Sequence, residues 1–200
     1  MYFVTYYMLR PELVSIMLTI ILGAKFLGSM CTTRLFGKLD RLFAYKMAMA
    51  MQAGIMILLF FIPAKLILVI FTITGIVHFI NSTATPLQWS FLSDIIDSIE
   101  SKLSKSFSGL VFSTNLFAIK VGIALGGALT GFLLTLGDYT GGEGVQSDAA
   151  VLSIRLLFTV IPALLILSLI YILRGYKPHT DPVTSESKSE PSALTTGESR

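Results

Sequence analysis

The residues that could do chemistry here are polar and charged groups set inside apolar runs. In "FAIKVGIALGGALTG", Phe117 to Gly131, Lys120 is the one charge in a glycine-rich stretch. Counted from Gly109 it lies about 16 Å along a helix. If that helix crosses a bilayer, the lysine sits near its middle, at an insertion cost of roughly 2.5–3.5 kcal/mol. A lysine at a helix end would snorkel to the interface, but one this deep is expected to face a bundle interior. Its neighbours there would be water, a carboxylate or a bound ligand, unless it is paired for structure alone. Lys25 is a second lysine of this kind, and for it a pore role and structural pairing both stand open. Arg155 lies near the end of its own run and is expected to snorkel.

A second feature is a polar stripe. Thr74, His78, Asn81 or Ser82, Thr85, and Gln88 or Trp89 recur at helical spacing along 66–91. Groups in line on one helix face are expected to look into a bundle interior or a water-filled cavity. The alternative is hydrogen bonding between helices, worth only about 0.6 kcal/mol on average in a membrane. Aspartate and glutamate are absent from every apolar run, so intramembrane carboxylates for a proton relay or sodium site are not supplied here. No metal site, cofactor motif or Ser–His–Asp set is legible, which leaves an enzyme reading weak.

The elements that must carry these residues follow from composition. Of 200 residues, 54% are hydrophobic and only 14% are charged, against about 25% charged in a soluble domain. The fold class expected is all-α, a polytopic membrane bundle in a lipid bilayer. A helix crosses the hydrocarbon with about 20 apolar residues, and the stretches near 13–33, 44–62, 66–91, 109–136 and 150–173 qualify. Residues 1–9, "MYFVTYYML", read as a stub, the last turns of a further span. The paired glycines Gly122/Gly126 and Gly127/Gly131 have the spacing that lets helices pack closely. The net charge of +3 does not point to nucleic acid, and the single Cys31 leaves no internal disulfide. Arg10-Pro11-Glu12 interrupts the N-terminal run, so no signal peptide is expected.

Orientation follows from the basic residues of the short joints. Arg34, Lys38, Arg41 and Lys46 share one side with Lys102, Lys105, Arg174 and Lys177. The opposite side holds the acidic, glycine-rich joint 137–149. The basic side is expected to be cytoplasmic, in a cell membrane. The tail 177–200, rich in Ser, Thr, Glu and Pro, cannot bury enough apolar surface to fold.

The stretches "TPLQWSFLSDIID", "GLVFSTNLFAIKVGIALGGALTGFLLTLGDY" and "SIRLLFTVIPALL" resemble the C-terminal half of the glycoside–pentoside–hexuronide:cation symporters, within the major facilitator superfamily. The resemblance covers residues 1–176 and is most specific over 86–137. It implies five full spans and a stub of a twelve-span fold, and it places "RLFGKLDRLFAYK" in the basic joint between the eighth and ninth spans. It also implies sugar or glycoside symport with sodium or a proton, in a bacterial inner membrane with the C-terminus cytoplasmic. The cation site would lie largely on a separate N-terminal half. By the same resemblance Lys120, Asn115 and Gln88 fall on substrate-side positions, beside Trp89, Thr85 and His78 of the stripe. Asp94 and Asp97 fall on a cytoplasmic acidic pair, followed by Glu100 and Lys102. Where the family has tyrosine, tryptophan and arginine, this chain has Ser98, Ser101 and Ser106. The competing reading is a small membrane scaffold or regulatory subunit, or an inactive remnant, that keeps the helices without transport.

The orientation has a direct check. A reporter active only in the cytoplasm, fused after Arg200, is expected to be active. Silence from a well-expressed fusion would reverse the assignment.

Overall fold

A computed structural model describes residues 2–36, 39–103, 106–141 and 146–175, with the backbone alone at 102 and 103. The polar tail from Lys177 lies outside the described residues. The described chain is all helical: α1 Val14–Phe36, α2 Arg41–Phe60, α3 Ile67–Leu103, α4 Ser108–Leu136, α5 Asp148–Phe158 and α6 Val160–Ile172. With α5 and α6 taken together, five helical segments are long and apolar enough to cross a membrane. Helices suit that solvent because lipid offers no partner for an open backbone N–H or C=O.

Local chemistry fixes the starts. Pro11 opens a single 3-10 turn, Pro11–Leu13, that leads into α1, its ring presetting the helical φ. Asp40 caps α2 by accepting the Phe43 N–H at 3.0 Å. Ser147 caps α5 by accepting from Ala150 N at 3.1 Å. For α4 the cap comes from the preceding helix. The Glu100 carboxylate accepts the Phe107 and Ser108 N–H groups at 3.0 and 3.1 Å, and the Ser106 hydroxyl at 3.0 Å. An anion there meets the positive end of the α4 dipole.

Two elements differ from the sequence expectation. The span placed at 66–91 runs on to Leu103 as one helix of 37 residues, about 55 Å long. It therefore reaches well beyond a hydrocarbon core of about 30 Å. The segment 92–103, read above as part of a joint, continues as helix, and Ile96 keeps it in contact with the fold. Pro86 lies inside α3 without ending it. Conversely, the stretch 150–173 breaks at Thr159, which is fully buried with φ −119° and ψ −65°. Pro162 has no N–H to give the Phe158 carbonyl, and its ring crowds that turn.

The core has two centres. At the end where α1 and α3 begin, Phe3, Val4, Met8, Met17, Leu59, Ile70 and Ile154 pack together. The stub forms a short π-helix there, Phe3–Tyr7, with Phe3 stacked on Phe158 at 4.4 Å. The Tyr7 hydroxyl donates to the Ile62 carbonyl at 2.8 Å. Tyr139 donates to the Tyr6 hydroxyl at 2.9 Å, and that bond, with burial, pushes the Tyr139 phenol up to about 12. At the other end Ala44, Tyr45, Ala48, Met49, Ile80, Ala84 and Leu87 join α2 to α3, with Ile166 and Ile170 of α6 against them.

Arg155 does not snorkel. Its guanidinium donates to the Phe60 carbonyl and lies 4.8 and 4.6 Å from the ring centroids of Tyr7 and Phe60. A cation at the last carbonyls of α2 is matched to the helix dipole and to both ring faces.

The α1–α3 contact is the tightest crossing. A Cβ built on Gly28 would run into the Phe79 carbonyl oxygen, and it would lie 3.1 Å from Ser82 Cβ. The Thr32 hydroxyl donates to the Thr83 carbonyl at 3.2 Å, and Ser82 donates to the Lys25 carbonyl. The glycines expected to pack, Gly122, Gly126, Gly127 and Gly131, have nothing within 4 Å of a built Cβ. In α4 the one buried residue is Leu134, and the helix meets α3 and α5, its neighbours in sequence.

Gly28→Leu must therefore push α1 off α3, because the obstacle is backbone and cannot rotate away. Overpacking of this kind costs about 1–3 kcal/mol or more. The purified variant is expected to melt at clearly lower temperature than the parent, while Gly126→Leu in the same chain stays close to it. Equal melting of the two variants would contradict the crossing.

Candidate functional site

Two cavities hold most of the polar residues that the sequence singles out. The first, of about 270 Å³, lies among α2, α3, α4 and the end of α6. Gln88 and Trp89 enter it from α3, Asn115 from α4, and Tyr45 from α2. Phe91 meets Tyr45 edge to face at 5.8 Å and completes an aromatic wall. Gln88 and Trp89 are consecutive, so both reach one space only where it wraps round the helix. Asn115 is two turns into α4, which brings its amide opposite them. The result is flat aromatic faces beside two amides, each able to donate and to accept. That combination suits a solute with an apolar ring face and a polar rim.

The second cavity, also about 270 Å³, lies among α1, α2, α3 and the α5–α6 break. His78, Thr74 and Asn81 face it from α3, Lys25 from α1, and Gln52 from α2. Asn81 donates to the Gln52 amide oxygen at 3.2 Å. The stripe is thus divided. Its upper part lines this cavity, Ser82 donates to the Lys25 carbonyl of α1, and Gln88 and Trp89 belong to the first cavity. Thr85 is exposed and donates back to the Asn81 carbonyl at 3.3 Å, so it lines neither.

Lys120 also lines neither cavity. It is exposed on the open face of α4, and no ion pair engages it among the described residues. The physical reason is the position of α4, whose face there is left uncovered by the described helices.

The charged cluster at the end of α3 separates into distinct contacts. Asp94 pairs with Arg41 at 3.1 Å, and the same guanidinium reaches Ser90 at 2.5 Å. Asp97 is exposed, with no ion pair among the described residues. Glu100 is the cap of α4. The Lys102 side chain lies outside the described residues. Ser106, which stands where the resemblance expects arginine, donates to Glu100.

Gln52 and Tyr45 are partners that sequence reading left without a role, while Asn81 was read only as part of the stripe and Arg41 only as one basic residue of its joint. Gln52 had a usable signal: it is the lone amide of "MAMAMQAGIMILL", about 17 Å into α2, as isolated in its run as Lys120. Arg41 had the weaker signal of one basic residue among several in its joint.

These features define a polytopic helical membrane protein. The family model described as MFS/sugar transport protein matches residues 1–177, and the chain belongs to that family. Among curated relatives, YagG of Escherichia coli (strain K12), which carries the name of a glycoside/cation symporter, is 38% identical over 177 residues. The inner membrane symporter YicJ of the same organism is 31% identical over 176 residues. Each match takes in 88% of this chain and 38% of the relative. A 29.9 kDa protein of Pseudescherichia vulneris, from the crtE 3'region, is 34% identical over 180 residues, or 88% of this chain and 65% of that protein. No solved structure matches the chain.

The Arg41–Asp94 pair is about half exposed at both side chains. Exposed pairs are worth about 0–1 kcal/mol. A double-mutant cycle with Arg41→Gln and Asp94→Asn is expected to give a coupling below about 1 kcal/mol in melting experiments. A larger coupling would mean that the pair is shielded from water in the membrane.

Proposed function

We propose that this chain acts as the C-terminal part of a sugar or glycoside symporter driven by sodium or protons, in a bacterial inner membrane. The observation that carries the reading is the meeting of Gln88, Trp89 and Asn115, from two helices, beside the aromatic wall of the first cavity. A pyranoside has both surfaces this cavity would match, C–H faces for the rings and hydroxyls for the amides. The names of YagG and YicJ support symport as the process. Basic residues at the joints near α2 and after α6 support a cytoplasmic C-terminus.

The coupling ion needs carboxylates that the described helices do not supply inside the bilayer. Their acids are Glu12, Asp40, Asp94, Asp97, Glu100, Asp138 and Asp148, all at joints or on the overhang of α3. In this reading the cation carboxylates belong to an N-terminal half, and Lys120 on the open face of α4 points toward that half. His78, which faces the second cavity, and Thr85, which lines neither, have only a secondary place, on the α3 turns that precede Gln88.

Two measurements test the reading. Trp89 is the single tryptophan of the chain, so its emission reports on the first cavity directly. Added glycosides are expected to shift it saturably in the parent and at least about tenfold more weakly in Asn115→Leu, the scale of a lost buried hydrogen bond. Expressed with an N-terminal half, the chain is expected to support uptake of labelled glycoside, and Lys120→Ala to abolish it at equal expression. Full uptake by Lys120→Ala, or ion-driven accumulation by the 200-residue chain alone, would overturn the proposal.

A further inference from the structure

The second cavity is unlike the first in charge. Two of its polar residues are a lysine and a histidine, Lys25 and His78, close enough to act on each other electrostatically. None of its lining residues is acidic. Lys25 lies about 17 Å from the start of α1, deep enough that its charge needs a counterpart. Among the described residues no carboxylate pairs with it.

A second observation points the same way. Thr74 lines the cavity and is 2% exposed, and its buried hydroxyl has no hydrogen-bond partner among the described residues. Threonines in helices commonly bond a carbonyl one turn back, as Thr72 and Thr85 do here. A buried hydroxyl left without a partner keeps its full desolvation cost with nothing to offset it. Across the cavity, Asn81 donates one hydrogen bond from its amide to the Gln52 amide oxygen, which fixes their orientation and leaves further amide hydrogens to give. The inventory is one ammonium, one imidazole, two amides and a hydroxyl, gathered from three helices and rich in donors. What it lacks is an acceptor with negative charge.

We propose that this cavity is a binding site for a singly charged anion, a carboxylate or a halide. Lys25 supplies the charge, His78 and the amides donate at the rim, and the Thr74 hydroxyl closes the inner wall. The site is separate from the aromatic cavity, and its occupancy needs no sugar. An anion there also neutralises the mid-membrane charge of α1, so binding stabilises the helix bundle itself.

The test uses the full chain in detergent, with no sugar present, so its outcome is independent of the transport reading. Melting temperature is followed while sodium acetate or sodium chloride is added, with sodium sulfate as the control for ionic strength. A saturable rise is expected with acetate, with chloride, or with both, and the pattern tells a carboxylate site from a halide site. Lys25→Met is expected to remove the rise, and Lys65→Met, which deletes a lysine from an exposed joint, to keep it. Thr74→Val preserves shape and packing, and is expected to weaken the apparent affinity about tenfold, as for one charge-assisted hydrogen bond. The proposal fails if no saturable rise appears, or if the rise follows sodium whatever the anion. It also fails if Lys25→Met and Lys65→Met respond alike.

Discussion

A polar side chain inside a membrane has no water to turn to, and the packing of this bundle follows from that constraint. α3 carries the most such groups, and the other helices are placed by what those groups need. Ser82 brings α1 in by donating to the Lys25 carbonyl, and Thr32 of α1 answers by donating to the Thr83 carbonyl. That approach is open only because Gly28 has no side chain to strike the Phe79 carbonyl. Asn81 fixes α2 through Gln52. Each bond is modest, about 0.6 kcal/mol on average in membranes. Together they set which faces meet, while the alanines of α2 allow the close approach that dispersion then rewards.

The same constraint separates what the sequence made legible from what it did not. The membrane class was plain from composition, and the approximate positions of the spans followed from run length, since lipid permits little else than helix. Helix ends were less legible where polar residues continue a helix beyond the bilayer. "SDIIDSIESK" reads as a joint to a hydropathy argument, yet nothing in it breaks a helix, and α3 runs on through it. Pro86 and Pro162 look alike in sequence. One sits in an unbroken helix and the other at a break, so the proline alone does not decide: at Pro162 the lost bond to the Phe158 carbonyl coincides with the buried turn at Thr159.

Packing was the least legible layer. The G-x-x-x-G pairs of α4 advertise a close contact that no helix of the described chain makes, and the contact that is made uses Gly28, which belongs to no such pair. A small-residue motif states what a face permits; a second surface decides whether the permission is used. Arg155 shows the reverse error. Near a helix end it was expected to reach for water, but Phe60 and Tyr7 offer two ring faces and a free helix carbonyl at closer range. Among the polar residues, the stripe on α3 was visible as a stripe, whereas its division between two cavities depends on where α1, α2 and α4 lie.

That division bears on how one bundle could serve two kinds of ligand. The aromatic cavity offers amides and ring faces without a formal charge, so it would favour a neutral polyhydroxyl solute. The other offers an ammonium and unpartnered donors, so it would favour an anion. Placing the two requirements on separate turns of α3 keeps the charge of Lys25 from imposing itself on the aromatic cavity. Lys120 is on neither side of this arrangement. It lies on a glycine-lined face of α4 that the described helices leave open, and a mid-membrane ammonium is tolerable only with a counterpart. In the proposed transporter that counterpart is a carboxylate of the facing half. One charge would then give the open face both its register against a partner helix and its link to the coupling ion.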